Sequence, residues 1–314
     1  MLVDKEAKIA NFNLIVGSKE EPMLDYFDTL IYPAFISGIK RTDKENEYLF
    51  KDVKVETSNE GKYVLVGKIV KKTFLEVKSD IDEEGRLIEK DEKYSAAPYS
   101  TFVIYLNNHR MALIPNQKGS PLLPAFRSTT YHILNEYRKR INDKKDEADQ
   151  IPQFDLTVVG IPNVQSIKDA LANVEKITEL ILRFYPLNGD LEFEGLFGPM
   201  ITDLRRTVGS KRGEIKLRSP KNINGIETVI EKSAGTVEPI INAKTRNNTS
   251  IRISNTDISE KHNIKIDENG DIQKETKDII EETSKISSIQ YTSDEHEKIY
   301  SRNKAKILKF VIKP

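Results

Sequence analysis

The stretch LRRTVGSKRGEIKLRSPKNIN, Leu204 to Asn224, gathers Arg205, Arg206, Lys211, Arg212, Lys216, Arg218 and Lys221 against a single acid, Glu214. Guanidinium and ammonium groups at this density suit phosphate recognition, because each cation that neutralises a nucleic-acid phosphate releases condensed counterions. Gly209 and Gly213 would let backbone N–H groups approach a phosphate, and Thr207 and Ser210 would add hydroxyl donors. Aromatic residues, on which single-strand readers stack bases, do not interleave with these cations, so the pattern favours a reader of duplex backbone. The competing reading is a solvated loop. A second basic group, Arg138, Lys139, Arg140, Lys144 and Lys145, falls at the C-terminal end of an expected helix, where cations complement the helix dipole.

Other chemistry-bearing patterns are thinner. DIDEEGRLIEKD sets Asp80, Asp82, Glu84, Gly85 and Asp91 at positions 1, 3, 5, 6 and 12 of a calcium loop. Position 12 is normally Glu and no helical pattern precedes the loop, so a solvated acidic hairpin is expected. DLEFEG alternates Asp190, Glu192 and Glu194 along one side of an expected strand, a spacing suited to magnesium-assisted phosphodiester hydrolysis. The Lys that follows the second acid of a common nuclease motif is missing. His109, His132, His262 and His296 are scattered, without metal-ligand spacing. G-x-S-x-G, G-x-x-x-x-G-K-[ST] and G-x-G-x-x-G are absent. Zero cysteines exclude disulfides, thiol catalysis and Cys-ligated metals. No catalytic residue, metal or cofactor is therefore expected.

These groups must be positioned by a chain of 314 residues, 38% hydrophobic and 31% charged, with zero formal net charge. The balance is uneven, since residues 201–314 carry 22 basic and 17 acidic groups, and the local arrangement sets the field a partner meets. KIANFNLIV reads as an opening strand and MLDYFDTLIYPAFI as a helix that Pro33 ends or kinks. YLFKDVKVET and KYVLVGKIVKKTFLEV form one hairpin, and YSTFVIYLNNHRMALIP a second that turns at NNHR. The acidic KSDIDEEGRLIEKDEKYSAAP between them is an exposed loop or protruding turn. SPLLPAFRSTTYHILNEYRKRI is a long helix with Phe126, Ile133, Leu134, Tyr137 and Ile141 on one face.

FDLTVVGI, PNVQSIKDALANVEK and ITELILRFYPLN read as a strand–helix–strand unit near 154–186, right-handed if its strands are parallel. Beyond it, FGPMITDLRRTV suggests a short helix, GEIKLRS a strand, GIETVIEKS a helix and NTSIRIS a strand. HNIKIDENGDIQKE suggests a hairpin turning at Asn269-Gly270, and AKILKFVIKP a Lys-rich edge strand. The sum is an α+β chain of mixed, largely antiparallel sheets with packed helices. It divides into an N-terminal α+β domain, 1–150, and a C-terminal one, 151–314, that holds the basic region. The start, MLVDKEAKIANFNLIVG, lacks the apolar run of a signal peptide, and no stretch approaches a membrane span, so a soluble cytoplasmic protein is expected.

The segment FDLTVVGIPNVQSIKDALANVEKITELILRFYPLNGD resembles an uncharacterised bacterial family of about this length, found around prophages and phage-defence loci. Its members join a strand, a helix and a second strand ending in Pro-Asn, here Pro186-Leu187-Asn188, and then a variable basic region. AKTRNNTSIRISNT resembles the family's C-terminal strand region, and the layout is distantly RexA-like, after a DNA-binding phage exclusion protein. The resemblance implies an anti-phage, abortive-infection setting and makes DNA the expected partner. It transfers no individual residue. The leading expectation is a non-enzymatic DNA-backbone binder that uses the seven cations, forms a homo-oligomer and works with a partner protein from the same operon. The alternatives are a metal-dependent nuclease and a protein-interaction or sensor subunit.

Overall fold

The computed structural model describes residues 2–187, 203–205, 207–233, 235–267 and 272–311. Strand exceeds helix, 42% against 33%, and the strands of both sheets pair antiparallel, so the chain is α+β as its patterning predicts. The strands are β1 (Leu2–Val16), β2 (Glu21–Pro22), β3 (Arg41–Asp43), β4 (Asn46–Thr57), β5 (Tyr63–Ile81), β6 (Leu87–Ala96) and β7 (Tyr99–Tyr105). They continue with β8 (Arg110–Pro115), β9 (Phe154–Gly160), β10 (Val174–Phe184), β11 (Gly213–Arg218), β12 (Val237–Thr245), β13 (Ser250–Ile253) and β14 (Lys261–Asp267). One curled sheet runs β14–β1–β8–β7–β5–β4–β3, with β2 and β9 also on β1 and β6 on β5; the other runs β11–β10–β12–β13.

Both faces of the first sheet are covered, which is why its central strands read as nearly unbroken apolar runs. Even-numbered residues of β1, Ala10, Phe12, Leu14 and Val16, enter a core shared with residues 23–36, helix Leu123–Asn142 and helix Asp294–Leu308. Phe35, Phe50, Phe102 and Phe126 cluster there, the first two stacked with ring centroids 4.6 Å apart. Ala7 and Ile9 project the other way, onto a core that includes Ile279, Ile280 and Ile289 from helices Ile272–Ser284 and Ser287–Gln290. Pro33 does not end the helical run at 23–36. The π-turn Phe27–Ile31 precedes it, with the Tyr32 N–H reaching back to the Phe27 carbonyl, and the coil continues through Ile36.

β9 and β14 lie end to end along the same edge of β1, β14 opposite Leu2–Lys8 and β9 opposite Ala10–Val16. They hand over at Ile9, whose N–H donates to the Glu260 carbonyl (3.2 Å) and whose carbonyl accepts from the Ile161 N–H (3.0 Å). Everything between these strands, including the whole second sheet, is an insertion whose two ends are pinned together by the Pro162–Ser259 bridge. The sequence boundary near 150 thus divides the chain but not its hydrogen bonding, since β9 and β14 from beyond it complete the first sheet. Likewise β9 and β10 flank a helix as expected, Val164–Leu171, but belong to different sheets and form no single-sheet crossover.

Two further sequence expectations resolve differently, and a third, the protruding acidic hairpin, is met. IQKETKDIIEETS is helix rather than the return strand of a hairpin, because Thr276, Ile279, Ile280 and Thr283 share a buried face at helical spacing; Asn269-Gly270 lies outside the described residues. The expected C-terminal edge strand starts as the last turn of helix Asp294–Leu308, which buries Ile299, Tyr300, Asn303 and Ile307; Val311 then bridges to Val55, and 312–314 lie outside the described residues. The acidic loop at 78–98 is a projecting ribbon made from the distal half of β5 and β6. Register sets Glu76–Lys93 (2.8 Å), Lys78–Asp91 (2.8 Å) and Asp80–Lys90 (2.7 Å) on one side. The cross-strand pairs Leu75–Tyr94 and Ile81–Leu87 lie exposed on the other. The short helix expected over FGPMITDLRRTV lies largely outside the described residues. No helix among the described residues is long and apolar enough to cross a membrane.

At the hand-over, the Gly160 N–H donates to Asn255 Oδ1 (2.6 Å) and Asn255 Nδ2 donates to the Gly160 carbonyl (2.8 Å), so a side-chain amide completes the ladder. A Cβ on Gly160 would lie 2.7 Å from Ser259 Cβ. Gly160→Ala is expected to lower stability by about 2–3 kcal/mol through overpacking. Asn255→Ala should cost about 2 kcal/mol by leaving two buried backbone groups unpaired. Urea denaturation midpoints measure both, and a change below about 0.5 kcal/mol in either contradicts the junction's role.

Candidate nucleic-acid interface

The second sheet turns one face to helices Val164–Leu171 and Ile223–Lys232. Leu180, Leu182 and Phe184 of β10 and Val237, Ile241 and Ala243 of β12 form the core there with Ile167, Leu171, Ile226 and Ile230. Side-chain caps start both helices: Asn163 accepts the N–H groups of Gln165 and Ser166, and Asn222 accepts that of Gly225. Strand alternation sends the other residues to the far face.

Register orders that face into rows. Arg218, Glu179, Asn242 and Arg252 lie side by side across all four strands. Lys216, Ile181 and Ile240 form the next row, and Glu214, Arg183 and Glu238 the one after. Lys176, Lys244 and Ser250 lie on the opposite flank. Glu179 takes a hydrogen bond from Asn242 Nδ2 at 3.0 Å and a long contact from Lys216 at 3.9 Å, and Arg183 lies 3.6 Å from Glu214. Arg218, Arg252 and Lys176 are exposed, and among the described residues no carboxylate pairs with them. Three strand spacings put Arg218 and Arg252 about 14 Å apart at the two edges. The face carries Lys176, Arg183, Lys216, Arg218, Lys244 and Arg252 against Glu179, Glu214 and Glu238 around a buried Ile181–Ile240 centre, an excess of positive charge suited to gripping phosphates.

The seven cations expected to form one patch are separated by the fold. Arg205 is only 7% exposed. Its guanidinium lies 3.3 Å from Glu20 Oε1 and donates to the carbonyls of Ser210 (3.3 Å) and Lys211 (2.9 Å), so it holds the loop's shape instead of meeting a phosphate. Arg206 lies outside the described residues. Arg212 is bound to Asp155 of β9 at 2.5 Å, which ties the loop to the first sheet. Ser210 donates its hydroxyl to the Arg212 carbonyl, so it serves the turn as well. Lys211 and Lys221 are exposed in the segments flanking β11, and Lys216 and Arg218 occupy β11 itself. Only these last two join the sheet face. Lys176, Arg183, Lys244 and Arg252, distant in sequence, join them through pairing register. Their sequence signal is the alternation of charge with apolar residues in VEKITELILRF, VEPIINAKT and SIRI.

The remaining candidates resolve into local structure. Asp82 accepts the N–H groups of Arg86 (2.8 Å) and Glu84 (3.1 Å), and these bonds hold its carboxyl below the usual range while they close the hairpin turn. Arg138 donates to the Ile151 carbonyl and Lys139 pairs with Glu136. Asp190, Glu192 and Glu194 lie outside the described residues. His109 and His296 meet as a buried edge-to-face pair, centroids 5.2 Å apart, and His262 pairs with Glu260. No group of three or more His, Asp or Glu able to hold a metal occurs among the described residues. No protein-family model matches the chain, and no curated protein matches it.

Arg205→Ala is expected to cost about 3 kcal/mol by stripping Glu20 of its partner and two carbonyls of their donor, whereas exposed Lys221→Ala should stay within about 0.5 kcal/mol of wild type. Thermal denaturation of the two variants checks the contrast; equal melting temperatures would make Arg205 a free cation after all.

Proposed function

We propose that the chain is a non-enzymatic nucleic-acid-binding protein that grips DNA by its backbone phosphates. The observation that carries this reading is the far face of the second sheet, where exposed Arg218 and Arg252 flank a single row and Lys176 stands unpaired beside it. We assign this face to phosphate charge, since its cations sit on a sheet and not on an element that enters a groove. The likeness to a family from prophage and phage-defence loci supports an anti-phage setting, with a same-operon protein and further copies of the chain as partners. The nuclease alternative gains no support, because its carboxylates lie outside the described residues.

A second reading, a subunit that docks another protein, draws on the exposed apolar side of the β5–β6 ribbon, Leu75, Ile81, Leu87 and Tyr94. Sedimentation velocity addresses its self-association form: loss of an oligomer in the Ile81→Asp, Leu87→Asp variant supports that form, and a monomeric wild type leaves only a different protein as the ribbon's partner.

Fluorescence anisotropy with duplex DNA at several salt concentrations tests the first reading. Wild-type affinity should fall steeply with salt, and Arg218→Ala with Arg252→Ala should flatten the log–log slope by about 0.9 for each phosphate that is no longer neutralised. Undetectable binding at low salt, or an unchanged slope in the double variant, contradicts it.

A further inference from the structure

A cleft of about 360 Å³ opens where the N-terminal end of helix Leu123–Asn142 meets β1, β5 and β14. Its walls carry Lys8, Lys71 and Lys261 and no carboxylate. The sheet-face cations take no part in it.

Lys8 and Lys261 stand directly opposite each other in the β1–β14 register. Like charges in that position repel and destabilise a ladder. The nearest acid is the half-exposed Glu6, at 3.7 Å from Lys8 Nζ and 3.9 Å from Lys261 Nζ, so one carboxylate at long range serves two ammonium groups. Lys71 has no carboxylate partner among the described residues, while its neighbour Lys72 pairs with Glu47 at 3.4 Å. Three cations therefore converge on a concave site with less than their share of counter-charge.

Two further features match an anion. Ser120, 7% exposed, accepts the Gln117 N–H at 3.1 Å, and its own hydroxyl proton reaches no acceptor among the described residues. The cap position of the twenty-residue helix is Leu122, which has no side-chain acceptor for the first-turn N–H groups. Leu122 and Tyr48, its ring backed by the Arg41 guanidinium at 4.4 Å, give the cleft an apolar wall. The volume lies at the small end of the roughly 300–1,000 Å³ range of ligand pockets, enough for one nucleotide-sized molecule and too little for a duplex.

We propose that this cleft binds a small phosphorylated molecule of mononucleotide size, its phosphate seated among Lys8, Lys71 and Lys261 and its organic part against Tyr48 and Leu122. The site is independent of the DNA-binding face. Calorimetric titration and thermal-shift assays of the full chain with inorganic phosphate, adenosine monophosphate and adenosine test it. Phosphate and the monophosphate should each saturate and raise the melting temperature, the monophosphate binding more tightly, with adenosine inert. Lys71→Met and Lys261→Met should each weaken binding by about tenfold or more, and Lys72→Met should leave it unchanged. Because the variant relieves the Lys8–Lys261 repulsion, ligand-free Lys261→Met should melt no lower than wild type. The proposal is overturned by absence of saturable phosphate and monophosphate binding at millimolar concentration, by equal loss in Lys72→Met, or by a lower melting temperature of ligand-free Lys261→Met. Binding of a 5′-phosphorylated oligonucleotide in place of the mononucleotide also overturns it.

Discussion

One edge of β1 carries two strands from distant parts of the chain, and the architecture follows from that sharing. β9 covers its C-terminal half and β14 its N-terminal half, so the segment between them leaves the sheet at Gly160 and must return at Glu260. The exit and return are held by the Ile9, Ile161 and Glu260 backbone bonds, the Pro162–Ser259 bridge and the Asn255 amide on Gly160. A residue with a Cβ does not fit at 160, which explains why the β-branched run of β9 ends in glycine. With its ends fixed, the insertion forms its own sheet and core around Leu180, Leu182 and Ile241 without interrupting the first.

Charge is distributed on the same terms. A chain with no net charge presents a cationic face because register, and not proximity in sequence, decides which side chains stand together. The densest run of cations is divided by the fold: Arg205 goes inward to Glu20, Arg212 outward to Asp155, and Lys216 and Arg218 of β11 join strands that supply Lys176, Lys244 and Arg252. The lysine cleft arises in the same way, since Lys8 and Lys261 are 253 positions apart and become neighbours only through the β1–β14 ladder.

Local pattern accounts for what was readable from sequence. β1, both hairpins, helix Leu123–Asn142 and helix Ile223–Lys232 follow from periodicity, because each buries a face against a partner that its own spacing anticipates. AKILKFVIKP misled because its short alternation mimics a strand, while the spacing of Ile299, Asn303 and Ile307 extends the helix from further upstream. The strand–helix–strand reading found the right elements around Val164–Leu171 and could not see that β9 answers to β1 and β10 to β12. For the interface, composition pointed to the C-terminal third and to Lys216 and Arg218. Composition holds no register, so Arg252 and Lys176 were invisible, and it cannot tell a buried guanidinium such as Arg205 from a free one.

The shared edge is tested most directly by native-state hydrogen exchange resolved along the chain. The amides of β9 and β14 that bond to β1 should exchange together with those of β1, at the slowest, global rate, with β11 and β13 at the edges of the second sheet opening sooner. If β9 instead opens in step with β10 while β1 and β14 stay protected, the second sheet takes β9 with it, and the shared edge of β1 is not what holds the chain together.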